Sequence, residues 1–138
     1  MRLLKVLALA AALSVLAAAA NQKQKTRAVR GGATVEIQIG EEKEIGGLRI
    51  AFEGVEEDSR CPEGVVCVWA GNARAHFSVA DRGGERAEFD LNTGLQPRAQ
   101  HFGGYTIKLE KLVPHPRVDR EIKVDEYVAT VSVSPARK

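Results

Sequence analysis

Short segments of alternating apolar and polar residues recur along this chain from residue 33 onward, and no segment after residue 20 has the spacing of an amphipathic helix. In the first of them, Val35, Ile37 and Ile39 share one face before Gly40. A period of two residues is typical of a strand with one buried face. About six to eight such segments, spaced by roughly 8 to 12 residues, predict an all-β fold, a single β-sandwich that is Ig-like or similar. A small β-barrel is the alternative, because it gives much the same pattern.

Other apolar positions predict the remaining strands, and Gly54 predicts a bulge directly after the strand that contains Leu48, Ile50 and Phe52. The segment from Asn92 to Gly104 is the longest without periodicity, and loops of that length are usually functional or mobile. The apolar positions in chain order are Leu48, Ile50 and Phe52; Ala87, Phe89 and Leu91; Tyr105, Ile107 and Leu109; Ile122 and Val124 in a short edge strand; and Tyr127, Ala129, Val131 and Val133.

One stretch, from Asp58 to Ala73, reads D-S-R-C-P-E-G-V-V-C-V-W-A-G-N-A and contains both cysteines and the only tryptophan. Pro62 and Gly64 favour a turn between Cys61 and Cys67. Such a turn can bring the two Cα atoms within the roughly 4.4 to 6.8 Å that a disulfide tolerates. We therefore predict a disulfide, which the loop-closure estimate credits with about 2 kcal/mol of stability.

The odd-numbered positions from Val65 to Val79 form one apolar line, which predicts a strand facing the core. On that strand Cys67 and Trp69 would point inward together, so that the disulfide packs beside the indole, with a bend at Gly71. A stacking platform for a sugar or peptide is the alternative role for Trp69.

Arg60 lies between Ser59 and a cysteine that we expect to be bridged, so its guanidinium group sits in a rigid frame. It can offer fork-like donors to a carboxylate of a partner or stack on an aromatic ring. The other interpretation is an internal ion pair with Asp58 or Glu63, and we favour a structural role. The predicted loop motif around the disulfide comprises Asp58, Ser59, Arg60, Pro62, Trp69 and Gly71.

The first twenty residues have the pattern of a cleaved secretory signal peptide, with a basic start, an apolar run from Val6 to Ala20 and small residues before Asn21. The run is shorter than the roughly 20 residues that span a bilayer. Loss of Arg2 and Lys5 leaves 18 basic residues against 18 acidic ones, so the net charge of +2 becomes zero. This balance does not favour nucleic acid. We expect a periplasmic or secreted protein, in an oxidising compartment, with no membrane insertion after cleavage.

These features predict four segments: a signal peptide at 1–20, a flexible leader at 21–32, the β-sandwich domain at 33–134 and a tail at 135–138. The leader is polar and basic and ends in two glycines. The roughly 118 residues after the signal peptide suit one domain with a real core.

Catalytic motifs are missing from the sequence, which has no G-x-S-x-G, S-x-x-K, H-E-x-x-H or glycine-rich phosphate loop. We therefore expect no enzyme activity and no cofactor. Copper and zinc prefer cysteine and histidine ligands, and the candidates here are Cys61, Cys67, His76, His101 and His115. Their spacing matches no standard zinc motif, and a disulfide would remove both thiolates. We predict no metal site; a metal-handling protein is an alternative that requires histidines converging near free thiols.

The motif D-S-R-C-P followed by C-V-W-A-G-N-A resembles the signature of a family of small exported, uncharacterised bacterial proteins. The resemblance extends loosely from Val35 to Val133. It implies export but no particular activity. Many proteins of this kind look like lipoproteins, whereas this chain lacks a lipid-bearing cysteine near residue 20.

We expect a non-catalytic binding or structural protein, a monomer whose partner is a protein or a small ligand. The alternative from another functional class is an inhibitor of an extracellular enzyme. Such an inhibitor would use the disulfide loop as a wedge and would expose Glu63, Val65 or Val66.

Overall fold

The computed structural model describes residues 32–137, and its regular elements are eight strands and one short 3-10 helix. No helix among these residues is long and apolar enough to cross a membrane. The predicted signal peptide, the leader up to residue 31 and Lys138 lie outside the described residues. The strands are β1 (Ala33–Gln38), β2 (Glu42–Ile45), β3 (Leu48–Asp58), β4 (Ala73–Ala80), β5 (Arg86–Asn92), β6 (Ala99–Phe102), β7 (Tyr105–Val113) and β8 (Val128–Pro135), and the 3-10 helix is Val124–Glu126.

Two four-stranded antiparallel sheets pack together, which confirms the predicted all-β sandwich. One sheet has the order β1-β8-β7-β6 and the other the order β2-β3-β4-β5. Paired strands are consecutive in the chain except for β1 with β8, so the order is up-and-down rather than the Greek key of immunoglobulin domains. The sheets do not join into the closed barrel that was the alternative.

The core lies between the sheets and is formed by alternate residues of each strand, as the period of two predicts. Phe52 of β3 and Phe77 of β4 are opposite each other, and their ring centroids are 5.2 Å apart. Full burial of an aromatic side chain contributes about 1.5 to 3 kcal/mol, so this pair is a major contributor to the core. The other large, fully buried side chains are Ile37, Leu48, Ile50, Leu91, Ile107, Leu109 and Val131.

Strand β3 is longer than predicted because it contains two bulges. The predicted bulge at Gly54 is confirmed by a register shift between Phe52 and Gly54, and a second shift follows between Val55 and Glu57. Together the two extra residues place Asp58 opposite Ala73, which is a fully buried core residue. The bulges therefore bring a carboxylate to the core face of the sheet, at one end of the sandwich.

The sequence missed β2 and β6, which are both four-residue strands ending in a Gly-Gly turn. Gly46 and Gly47 have φ values of 60° and 91°, and they connect Ile45 to its partner Leu48. Two successive residues with positive φ match the type I′ turn of a tight hairpin, which glycine adopts readily. The second such turn, at Gly103 and Gly104, connects β7 to β6, a strand that lies within the long segment predicted to be aperiodic.

The predicted edge strand at Ile122 and Val124 is wrong. Val124 begins the 3-10 helix and its side chain is exposed. The Glu126 carboxylate accepts a hydrogen bond from the backbone N–H of Lys123 at 2.8 Å. This local bond offers the backbone an alternative to a strand ladder, as polar side chains often do.

Candidate functional site

The end of β3 places two charged side chains of the predicted loop motif inside the protein. Asp58 and Arg60 form an ion pair in which the Arg60 Nε donates to Asp58 Oδ1 at 2.8 Å and Nη2 donates to Oδ2 at 2.6 Å. Their side chains are only 11% and 7% exposed. This is the bidentate geometry that makes arginine–carboxylate pairs strong and directional. Of the two interpretations of Arg60, the structure has the internal pair, and its partner is Asp58 rather than Glu63.

The pair also joins the two sheets. Arg60 donates from Nη1 to the carbonyl oxygen of Leu112 at 2.8 Å and from Nη2 to that of Pro114 at 2.9 Å. The hydroxyl of Tyr127 donates to Asp58 Oδ2 at 2.9 Å. Residues before β8 and at the end of β7 are thus hydrogen-bonded to a pair that belongs to the other sheet. Sequence reasoning placed Tyr127 only on a strand; the useful signal was that a buried tyrosine hydroxyl usually needs a partner.

These contacts set the protonation states of the cluster. Burial raises the pKa of Asp58, but the hydrogen bonds from Arg60 and Tyr127 and the Arg60 charge outweigh it, so that the net pKa is below its ordinary value. Burial, followed by the hydrogen bond to Asp58, raises the pKa of Tyr127 to about 12. At neutral pH the cluster therefore holds a carboxylate, a guanidinium ion and a neutral hydroxyl.

Beyond Asp58 the β3–β4 hairpin continues past the end of the sandwich. The backbone N–H of Ser59 donates to the Asn72 carbonyl at 2.7 Å, and that of Cys61 donates to the Ala70 carbonyl at 2.9 Å. Gly71 lies in this narrow ladder with a φ of 74°, and a Cβ there would be 1.8 Å from the Ser59 carbonyl oxygen. Only glycine fits that close approach. Gly71, where a bend was predicted, is thus the point at which the two backbones of the hairpin approach most closely.

The tip of this hairpin is residues 61–70, which we call the apolar loop. The predicted disulfide between Cys61 and Cys67 is present, with a Cα–Cα distance of 5.9 Å. The segment that follows β7 supports one side of the loop. The Glu63 N–H donates to the Pro116 carbonyl at 2.8 Å, and His115 Nε2 donates to the Cys61 carbonyl at 2.8 Å. The base and one flank of the loop are therefore fixed.

The predicted inward strand from Val65 to Trp69 is wrong. Val66, Val68 and Trp69 are 102%, 94% and 82% exposed, and Cys67 is exposed as well. The strand begins only at Ala73, from which the predicted alternation holds. The reason is that the hairpin extends beyond the second sheet, so its apolar side chains have no opposing layer to pack against. The indole consequently forms no part of the core.

Asn72 links the apolar loop to the connection between β5 and β6, a role that sequence reasoning missed. Its Oδ1 accepts hydrogen bonds from the N–H groups of Gly94 at 2.9 Å and Leu95 at 3.2 Å. Its Nδ2 donates to Asn92 Oδ1 at 2.8 Å. Asn92 Nδ2 in turn donates to the Pro97 carbonyl at 3.2 Å. All four polar atoms of the two buried side-chain amides thus hold this connection beside the loop.

The histidines are far from the arrangement that a metal-handling protein needs. His76 Nδ1 donates to Asp90 at 2.6 Å, which raises the pKa of His76, and His101 contacts Thr106. Only His115 lies beside the disulfide, and both cysteines are bridged. Among residues 32–137 no three potential ligands cluster.

We expect Arg60→Ala to lower the free energy of unfolding by about 3 to 5 kcal/mol, because it leaves the buried Asp58 carboxylate without its cation. Arg74→Ala is the matched control: its pair with Asp90 has a 3.7 Å distance and a side chain that is 44% exposed. Such surface pairs contribute about 0 to 1 kcal/mol. Urea denaturation measures both, and equal losses in the two variants would contradict the internal role of Arg60.

Trp69→Ala should change the free energy of unfolding by no more than about 0.5 kcal/mol, since the indole is exposed. A core position would instead cost about 3 to 5 kcal/mol, and Phe77→Ala supplies that reference within the same protein. The same denaturation experiment compares the two. A loss at Trp69 similar to that at Phe77 would mean that the indole packs against the sandwich.

The site thus has two parts. One is a buried ion pair that is hydrogen-bonded to its surroundings, and the other is the exposed apolar loop, whose base is held in place. Fixed exposed apolar side chains are suited to contact with another surface, and large exposed patches of this kind often mark interaction sites. The disulfide suits an oxidising compartment. No protein-family model, curated protein or solved structure matches this chain.

Proposed function

We propose that this protein is an exported, non-catalytic binding protein that inserts its apolar loop into an apolar cleft of a protein partner. The observation that carries the proposal is the exposure of Val66, Val68 and Trp69 on a loop with a fixed base. Exposed single hydrophobic residues are ordinary on protein surfaces, but three within four residues at the tip of a projection are not.

The chemistry of the loop favours a protein partner. Tryptophan is among the residues enriched at the energetic centres of protein interfaces, and Trp69 offers the largest apolar surface of the loop. The disulfide and the hydrogen bonds of Glu63 and His115 reduce the freedom that the loop would lose on binding. Pre-organisation of this kind improves affinity without further contacts.

Export is supported by three features: the disulfide, the signal-peptide pattern and the motif resemblance. Disulfides persist mainly in oxidising compartments such as the periplasm and the extracellular space. The signal-peptide pattern of residues 1–20, and the resemblance of the D-S-R-C-P motif to small exported bacterial proteins, agree with that location. We therefore propose that the partner is also periplasmic or extracellular.

An inhibitor of an extracellular enzyme is the second candidate. It is favoured by the exposure of Glu63, Val65 and Val66, which lie inside the disulfide ring. A short rigid segment of this type can occupy an enzyme cleft as a wedge. The two candidates differ in whether the partner is an enzyme whose active site the loop enters.

Site-specific photo-crosslinking tests the proposal. A benzophenone amino acid replaces Val66 in the full chain, which is expressed in its native host and irradiated in the exported fraction. The matched control carries the same probe at Glu85, which is exposed on the β4–β5 turn at the opposite end of the sandwich. We expect one protein adduct from position 66 and none from position 85. A second substitution, Trp69→Ala, should abolish the adduct without unfolding the domain.

Three results would contradict the proposal: no adduct at position 66, the same adduct from both positions, or crosslinking to lipid alone. An adduct that maps to the active-site cleft of an enzyme would select the inhibitor. An adduct elsewhere on its partner would select the binding protein without inhibitory action.

A further inference from the structure

A cleft of about 300 Å³ opens directly beside the apolar loop. Its walls come from three parts of the chain: the base of the loop at Ala70 and Gly71, the β5–β6 connection, and the end of β7. Leu109 and Leu112 give it an apolar floor. Asn72 fixes the first two walls relative to each other through its bonds to Gly94 and Leu95. The cleft is thus part of the same rigid unit as the loop.

Two cations line this cleft without any ion pair among residues 32–137. Arg98 and Lys111 both contribute to its walls, and neither side chain forms a salt bridge in the part of the chain that the structure describes. Arg60 also lines the cleft, but its guanidinium is engaged by Asp58 and two carbonyl groups. The charge available to a ligand therefore comes from Arg98 and Lys111.

The guanidinium group of Arg98 is the decisive group. Its Nε is buried, with no hydrogen-bond partner, the sole such side-chain atom found among residues 32–137, so a ligand in the cleft would meet the terminal Nη groups. Buried polar groups in folded proteins are almost always paired, so an orphaned donor requires an explanation. A guanidinium group presents its N–H groups as a planar fork that matches the two oxygens of a carboxylate.

The acidic residue of the cleft, Glu110, favours a ligand with one negative charge over a ligand with two. Glu110 lines the cleft, but its two oxygens already accept hydrogen bonds from Ser132 at 2.6 Å and Lys108 at 2.9 Å. The Ser132 bond, followed by that of Lys108 and more weakly by the charges of Lys108 and Arg98, lowers the pKa of Glu110, which stays ionised. The charge of Arg98 is therefore already partly balanced by Glu110, although the two side chains form no salt bridge. A carboxylate adds one negative charge beside it, whereas a phosphate adds nearly two. The apolar floor suits the methylene groups of an acidic side chain.

We propose that this cleft binds the carboxylate of an aspartate or glutamate side chain on the protein partner that receives the apolar loop. The inference rests on the proposed function for the identity of the partner, and it adds the chemistry of the partner surface. That surface would carry an acidic residue next to the apolar cleft that accepts Trp69.

The first part of the test needs no partner. The ¹⁵N-labelled full chain is titrated with N-acetylglutamate N-methylamide, and the Arg98 Nε–Hε signal and the backbone amides of Thr93 and Gly94 are followed by NMR. N-acetylglutamine N-methylamide and inorganic phosphate are the comparison probes. We expect a saturable shift with the glutamate probe, none with the glutamine probe and weaker binding of phosphate.

The variants assign the binding to the cleft. Arg98→Gln should weaken the response of the Thr93 and Gly94 amides to the glutamate probe by about tenfold or more, the loss expected for a hydrogen-bonded charge pair. Lys111→Gln, at an exposed position, should also weaken it and serves if Arg98→Gln does not fold. Arg86→Gln is the matched control, because Arg86 is an exposed cation at the far end of β5. It should bind the probe as the parent does.

The second part introduces Arg98→Gln and Lys111→Gln into the chain that carries the photo-crosslinker at position 66. Both should reduce the adduct, and Arg86→Gln should not. No saturable shift, an equal shift with the glutamine probe, or tighter binding of phosphate would overturn the carboxylate cleft. An unchanged adduct in both cleft variants would also overturn it while leaving the proposed function intact. Absence of the adduct in the parent would instead contradict the proposed function.

Discussion

The ion pair of Asp58 and Arg60 is the interaction on which the rest of this end of the molecule depends. Hydrogen bonds link this pair to the carbonyl groups of Leu112 at the end of β7 and of Pro114 just after it, and to the hydroxyl of Tyr127 just before β8. Directional bonds therefore join the two sheets at one edge of the core. A buried pair of this type does not itself guarantee stability, but removal of one member leaves the other charge without water or a partner. The segment that carries Arg60 is thereby fixed in one position.

That fixed position explains why the protein can maintain an exposed apolar loop. The two backbones of the hairpin are in close contact at Gly71, the disulfide closes the ring, and the segment after β7 supports one flank. None of these constraints buries Val66, Val68 or Trp69. A flexible loop with the same residues would collapse onto the nearest apolar surface or vary in conformation, at an entropic cost on binding. The unpaired Arg98 beside the loop gives the same end of the molecule a polar feature next to its apolar one.

The sequence was sufficient for the strands in which one face meets the core. From Ala73 to Val79 the alternation of apolar residues continues in the structure as alternation of buried side chains. From Val65 to Trp69 the same alternation gave a wrong prediction of burial. Periodicity indicates a strand, but it does not show whether a second sheet covers that strand. The disulfide was predictable from the local spacing of Cys61 and Cys67, whereas the ion pair depends on carbonyl groups more than fifty residues away. The cleft around Arg98 depends likewise on contacts between distant segments, which no local pattern encodes.

The central feature of this end of the molecule is an indole that is exposed although the base of its loop is held in place. Trp69 is the only tryptophan in the chain, so its fluorescence reports on the apolar loop alone. The most direct measurement is time-resolved polarised emission of the native protein with and without acrylamide. We predict that the quencher reaches Trp69 as freely as it does in the urea-unfolded chain, while the polarisation decays with the tumbling of the whole domain. Protection from acrylamide would place the indole in the core, and rapid local depolarisation would show that the loop is not held; either result would contradict the account.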